Sequence, residues 1–267
     1  MKFPLALAFL LGAFLGVAIQ PARAAEATAP KPIDVYLIAG QSNATGQGYL
    51  KNIPASFKIN RHVLLFTSGS PHLNSGAVPD AWIPLRQASE SPDRFGPELG
   101  FGNRIQELSP NHPIALIKHA QSGTNLYDQW NPGANAADTA NQGPQFRIFV
   151  QTVELGLQGL RKLGYTPTLR GMIWLQGEND AYDLATASQY GANLAHFIQR
   201  VREQFNAPGL VFVYGYVLPP PTQNSNPFVG RNAVRQGEHD VDQNSGSPLA
   251  VPGAFVVSTD DLSQRAT

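Results

Sequence analysis

Apolar positions along the chain fall into two alternating kinds of segment. Short, mainly apolar runs stand at residues 35–39, 114–118, 172–175, 210–216 and 255–258. None alternates cleanly between apolar and polar, which is the mark of parallel strands covered on both faces. Between them apolar residues step by three and four: Leu99, Ile105 and Leu108 behind Pro97 and Glu98; Phe146, Phe149, Val150, Val153, Leu157 and Leu160 ahead of Gly164; and Tyr190, Leu194, Phe197, Ile198, Val201 and Phe205. Pro and an acid at a helix start and Gly beyond its end are the expected punctuation. Strand alternating with helix predicts an α/β fold: a three-layer, doubly wound, mainly parallel five-stranded sheet with helices on both sides. After the fifth run only Thr259 to Thr267 remain, without helical pattern. A doubly wound sheet normally closes with a helix over its last strand, so the expectation is a domain that lacks its C-terminal loop and helix.

The first residues read as an address. Lys2 precedes an apolar stretch from Pro4 to Ile19, and Ala22-Arg23-Ala24 places small residues at the −3 and −1 positions of a cleavage site. Residues 1–24 are therefore expected to be a signal peptide, giving a secreted or periplasmic protein with no stable membrane association after cleavage. Residues 25–32 read as a linker, and 33–267 as one domain. The chain has no cysteine, so neither a lipoprotein site nor a disulfide framework is available. Nineteen basic and nineteen acidic residues cancel and form no basic block, which argues against a nucleic-acid partner. Charged residues make up only 14%, and 25 Gly with 22 Pro imply long, shaped loops. Such a surface suits an uncharged substrate such as a polysaccharide.

Three polar clusters directly follow apolar runs. Gly40-Gln41-Ser42-Asn43 follows the first: a serine there can face the crevice at the sheet's carboxyl edge, or Ser42 or Asn43 can simply cap a helix. Gln121-Ser122-Gly123-Thr124 follows the second: its glycine can present a backbone N–H to an oxyanion, or the segment can be a plain turn. Gln176-Gly177-Glu178-Asn179-Asp180 follows the third. A carboxamide there can donate to developing negative charge, while Glu178 and Asp180 singly could be helix-start acids. Convergence of all three at strand ends favours an active site over capping alone. The loop Pro219-Pro220-Pro221-Thr222 lies beyond the fourth strand and is either substrate-facing or a rigid connector. The spacing of Gly40, Gly46 and Gly48 matches neither a phosphate loop nor a dinucleotide fingerprint. Ser245 and Val251 stand where a calcium loop around Asp240, Asp242 and Asn244 needs glycine and glutamate, and no two histidines have metal-ligand spacing. No metal and no cofactor is expected.

Ile38-Ala39-Gly40-Gln41-Ser42-Asn43, Phe95-Gly96-Pro97-Glu98, Ser122-Gly123-Thr124 and Trp174-Leu175-Gln176-Gly177-Glu178 together resemble the ordered blocks of the sialate O-acetylesterase and acetylxylan esterase group, carbohydrate esterase family 6 of the SGNH hydrolases. The resemblance runs from about Asp34 to Leu262 and implies a flavodoxin-like SGNH hydrolase fold. It also implies Ser42 as nucleophile. The backbone N–H of Ser42, that of Gly123 and the side chain of Gln176 would form the oxyanion hole, with Glu178 organising the loop beneath the serine. Ser122 stands where the family often has glycine. The family's base is the histidine of an Asp-x-x-His motif soon after the fifth strand, and the segment 257–262 resembles what precedes that motif. The base is thus expected beyond Thr267, and Asp260 and Asp261 are not expected to be the triad acid. His62, His72, His112, His119, His196 and His239 all lie elsewhere. His196 reads as structural; His119 and His239 could approach the crevice, but neither matches the family's base. The function implied is hydrolysis of O-acetyl esters on carbohydrate, with acetylated xylan or sialic acid as substrate. The alternatives are an SGNH lipase or thioesterase, against which the polar loop residues Asn125, Asp128, Gln129 and Trp130 speak, and a carbohydrate-binding homologue without a base.

Overall fold

The computed structural model describes residues 29–68, 80–217 and 227–260. The expected signal peptide at residues 1–24, His72, the loop Pro219-Pro220-Pro221-Thr222 and Asp261 lie outside the described residues. In chain order the strands are β1 (Lys31–Gly40), β2 (Gly48–Tyr49), β3 (Leu64–Thr67), β4 (Ile83–Pro84), β5 (Arg94–Phe95), β6 (Ile114–Ala120), β7 (Tyr165–Leu175), β8 (Val211–Gly215) and β9 (Ala254–Val257). The α-helices are α1 (Ser42–Thr45), α2 (Pro97–Leu108), α3 (Pro144–Lys162), α4 (Leu184–Ser188), α5 (Tyr190–Gln204) and α6 (Arg231–Val241). One sheet has the order β4-β3-β6-β1-β7-β8-β9, and all its pairings but β3–β4 are parallel.

The five anticipated strands are the spine of this sheet, in the order second-first-third-fourth-fifth that doubly wound folds of the flavodoxin type share. Two differences from the expectation are instructive. The sheet has seven strands, because β3 and the two-residue β4 extend it at the β6 edge. The apolar run Val63-Leu64-Leu65-Phe66 signals β3, but β4 is held by a single antiparallel partner rather than by any pattern of its own. The linker also ends early. Lys31 and Pro32 already pair with Tyr165 and Thr166, and the Lys31 N–H donates to the Gly164 carbonyl at 3.0 Å. A partner strand thus overrides a composition poor in strand formers.

The sheet separates two apolar cores. On one side Val35, Leu37 and Ala39 of β1 pack with Phe146, Phe149 and Val153 of α3 and with Leu194, Phe197 and Val201 of α5. On the other, Ile38 meets Leu99 of α2, Val63 and Leu116. Strand β1 therefore presents alternate side chains to both layers, which is why its sequence reads as continuously apolar. An aromatic cluster joins the first core to the loop after β6. Trp130 lies edge-on to Trp174 at 5.0 Å, and Trp174 meets Phe197 at 4.5 Å. The buried Trp130 ring anchors this loop to the core, and its indole N–H donates to Thr124 Oγ1 of the same loop at 2.9 Å.

Two buried charges stand out. Lys118 lies in the middle layer, 3% exposed, with Nζ 2.6 Å from Glu98 Oε2 on α2 and donating to the carbonyls of Thr45 and Ala88 at 2.9 and 2.7 Å. Burial pulls its pKa down, and the Glu98 carboxylate opposes that shift. The other is Glu238 on α6. It is 1% exposed, and its Oε2 has no hydrogen-bond partner among the described residues. Burial, with the charge of Glu178 adding to it, pushes its pKa well above the ordinary carboxylate range, although the Val217 N–H and Arg235 work the other way.

Removing one member of a buried pair strands the other. Glu98→Ala is expected to cost about 3–5 kcal/mol, read as a fall in melting temperature of at least roughly 6 °C at 2–4 °C per kcal/mol. Glu238 has the opposite effect. Because its folded pKa is raised, the stability it contributes is complete below the unfolded carboxylate value, about 4.3, and is lost as pH rises through the folded value. Glu238→Gln, which stays neutral, should therefore melt higher than the parent at pH 8 and with it at pH 4; parallel melting curves across that range would show that the carboxyl carries no buried charge.

Candidate active site

The crevice at the carboxyl ends of β6, β1 and β7 is where connections leave β1 towards one side of the sheet and then cross to the other, the usual position of a ligand site. Gly40 makes that junction possible. Its φ is +135°, and a Cβ there would come within 2.1 Å of the Leu175 carbonyl oxygen, so only glycine allows the end of β1 to lie against the end of β7. The Gln41 N–H then donates to Leu175 O at 2.8 Å and the Gln121 N–H to Gly40 O at 3.1 Å. These two bonds tie the three strand-end loops together.

Ser42 is the first residue of α1, half-buried, and its side chain makes no hydrogen bond with another described residue. The capping alternative does not hold. The residue ahead of α1 is Gln41, no side chain caps the helix, and Asn43 turns away to donate to Glu178 Oε1 at 2.6 Å. Gln41, 3% exposed, donates its amide to the other oxygen of Glu178. Glu178 thus holds the residues on both sides of Ser42. Burial raises its pKa, and the two amides pull against that shift.

In the second loop Gly123 has φ +72°, and the space where a Cβ would project holds no atom within 4 Å. The loop is fixed on either side of it. Ser122 Oγ donates to Glu90 Oε1 at 2.8 Å and lies 3.3 Å from Thr45 Oγ1, while Thr124 Oγ1 donates to Gln121 O at 2.7 Å. Serine, where the resembled family often has glycine, is accommodated by a partner for its hydroxyl, which also lies beside Thr45 of α1.

Gln176 is 1% exposed, and its Nε2 donates to Thr124 O at 3.0 Å and to Asp180 Oδ2 at 2.6 Å. Both neighbours are acceptors, which fixes the orientation of the amide, and both of its N–H groups are used. The carboxamide expected to donate to an oxyanion is committed to the protein instead, where it braces the Gly123 loop. Asp180 is fully buried and is no mere helix-start acid. It also accepts from the N–H groups of Leu126 and Tyr127 at 2.8 and 3.0 Å, and burial raises its pKa against those bonds.

No described histidine bonds to Ser42. His119 is 2% exposed, bonded through Nδ1 to Ser68 Oγ at 2.7 Å and through Nε2 to Gln145 Oε1 at 3.0 Å; burial lowers its pKa to about 4, so it is a neutral core residue. His239 is exposed on α6, 3.5 Å from Asp240, and His196 Nε2 donates to the Gly133 carbonyl at 2.9 Å. Asp260 makes a two-fold pair with Arg235, at 3.1 and 2.6 Å. Among the described residues no group of three or more His, Cys, Asp or Glu is arranged to hold a metal.

Sequence reasoning overlooked Gln41 and Asn43 as the grip on Glu178, Glu90 as the partner of Ser122, and Lys118 beneath the serine turn. Only Lys118 carried a signal, a charge within an otherwise apolar buried strand, which demands a partner.

A model of the family described as carbohydrate esterase, sialic acid-specific acetylesterase matches residues 32–266. A probable carbohydrate esterase of Arabidopsis thaliana, At4g34215, is 23% identical over 198 residues, 68% of this chain and 68% of that protein. The X-ray structure of that Arabidopsis protein superposes with a TM-score of 0.65 at 19% identity, covering 88% of this chain and 89% of its own. NanS gives 0.61 at 14% identity over 89% and 80% of the two chains. XAC1771, a carbohydrate acetylesterase from Xanthomonas citri, gives 0.55 at 19% identity over 88% of this chain and 51% of its own. These structural likenesses establish the shared fold, and the family match spans almost all of the chain outside its first 31 residues. The chain belongs to the carbohydrate esterase, sialic acid-specific acetylesterase family, and with it to the carboxylic ester hydrolases that act on carbohydrates.

Proposed function

We propose that the chain is a serine esterase that removes O-acetyl groups from carbohydrate through an acetyl-enzyme on Ser42. The observation that carries this reading is the set of direct bonds linking the three strand-end loops: Gln41 to Leu175, Gln121 to Gly40, both neighbours of Ser42 to Glu178, and Gln176 to Thr124. They hold the three loops together while the Ser42 hydroxyl, half-buried, bonds to no other described residue. Preorganised donors of this kind cost no reorganisation when charge develops.

In this reading Ser42 Oγ attacks the acetyl carbonyl carbon and gives its proton to a base. The carbonyl oxygen gathers negative charge and is met by the backbone N–H groups of Ser42 and Gly123. The first N–H of a helix has no intrahelical partner and so is free for that purpose. The C–O bond to the sugar breaks, the sugar oxygen takes the proton, and water then releases acetate from Ser42. Gln176 acts on the oxyanion through the loop it braces rather than by touching it, and Glu178 sets the orientation of the serine turn. Acetyl esters of sialic acid and of neutral polysaccharide such as xylan both fit this chemistry, and export through the leader 1–24 would bring the enzyme to such substrates.

Since no described histidine is placed against Ser42, added imidazole should act as a surrogate base. The chain should hydrolyse p-nitrophenyl acetate slowly, and imidazole should raise the rate by at least about tenfold above its own uncatalysed background, short of the roughly 10²–10⁴-fold that a positioned base contributes. Ser42→Ala should abolish that increment. Equal rates for parent and Ser42→Ala, with and without imidazole, would remove Ser42 as the nucleophile.

A further inference from the structure

A cavity of about 300 Å³ opens between the loop that carries Gly123 and helix α5. Its walls include Tyr127, Asn131, Asp138 and Asn141 from the loop and Asn193 and His196 from the helix. The volume lies at the lower end of the range typical of small-molecule sites. The lining combines one exposed aromatic ring, Tyr127 at 45% exposure, with amide, carboxylate and imidazole groups. No Lys or Arg lines it.

The walls are held in place by the protein's own bonds. Leu126 and Tyr127 are fastened through their N–H groups to Asp180, the same carboxylate that holds Gln176. Asp138 accepts from Ala134 N and Asn141 Nδ2 at 2.9 and 2.8 Å, Gly133 N–H donates to Asn131 Oδ1 at 2.9 Å, and His196 ties the helix to Gly133. One polar group is left over. The amide nitrogen of Asn193 is shut off from solvent and has no hydrogen-bond partner among the described residues, a cost that a ligand acceptor would relieve.

We infer that this cavity is a glycan subsite that holds an uncharged sugar residue next to the one whose ester is cleaved. A pyranose presents an apolar C–H face to a ring such as Tyr127 and hydroxyls at its rim to Asn131, Asn193 and His196. The Asp138 carboxylate, with no Lys or Arg among the lining residues, accepts hydroxyl hydrogens and repels an anionic sugar. The subsite selects neutral polysaccharide over sialic acid at this position. The inference relies on the esterase reading only for the role of the bound sugar, since binding itself needs no turnover.

Calorimetric titration of the full chain with xylotetraose, an uncharged oligomer of pyranoses, tests it. Binding is expected, and Tyr127→Ala and Asn193→Ala, on opposite walls, should each weaken it about tenfold at an unchanged melting temperature. N-acetylneuraminic acid should show no Tyr127-dependent binding. No binding of xylotetraose by the parent, affinity unaltered in both variants, or N-acetylneuraminate binding that depends on Tyr127 would each overturn the proposal. Failure of the Ser42 assay with xylotetraose binding and its two mutational effects intact would count against the esterase reading and leave the subsite standing.

Discussion

Placing an ammonium group in the middle of a sheet obliges the surrounding chain to converge on it. Lys118 points into a layer where water cannot reach, and its three hydrogen bonds come from three separate segments: the end of α1 at Thr45, the loop at Ala88 and the first turn of α2 at Glu98. Glu98 in turn accepts from the N–H groups of Ala88 and Gly96 at 3.0 Å each. The Phe95-Gly96-Pro97-Glu98 block is thus the rim of a small polar knot. Its effect on chemistry is indirect but definite, since it fixes Thr45 and hence the short helix that begins with Ser42. A buried pair of this kind is weak as a source of stability and strong as a constraint on geometry.

Above that knot lies a second layer of buried acids. Glu178, Asp180 and Glu238 all have pKa values raised by burial. Each of the first two spends its oxygens on gripping loops: Glu178 on Gln41 and Asn43, Asp180 on Gln176, Leu126 and Tyr127. Glu238 sits beneath Gly177, where a Cβ would come within 3.3 Å of its Oε1. Acids crowded under a loop cluster in this way trade electrostatic comfort for rigidity.

The crevice and the adjoining cavity share this framework. Asp180 anchors the wall at Tyr127 and, through Gln176, the turn at Gly123. Displacing one would move the other, so recognition of a glycan and alignment of its ester rest on the same carboxylate.

How much of this was legible in the sequence follows from which signals are local. The five strand runs, the three long amphipathic helices and the punctuation by Pro97 and Gly164 are set by nearest-neighbour preferences and periodicity, and they stand where the pattern put them. The grouping of Ser42, Gly123 and Gln176 at one edge was also readable, because each follows a strand directly. The rest needed partners distant in the chain. Strand β4 and the start of β1 exist because another strand lies beside them. Gln176 became a brace because its two neighbours both proved to be acceptors, and His119 was removed as a base by the burial that made it neutral. Residue types and their order are written in one dimension. Hydrogen-bond direction, desolvation and the sharing of one carboxylate between two sites are decided only when segments that no local pattern links come into contact, Leu126 with Asp180 and Gln176 with Thr124 among them.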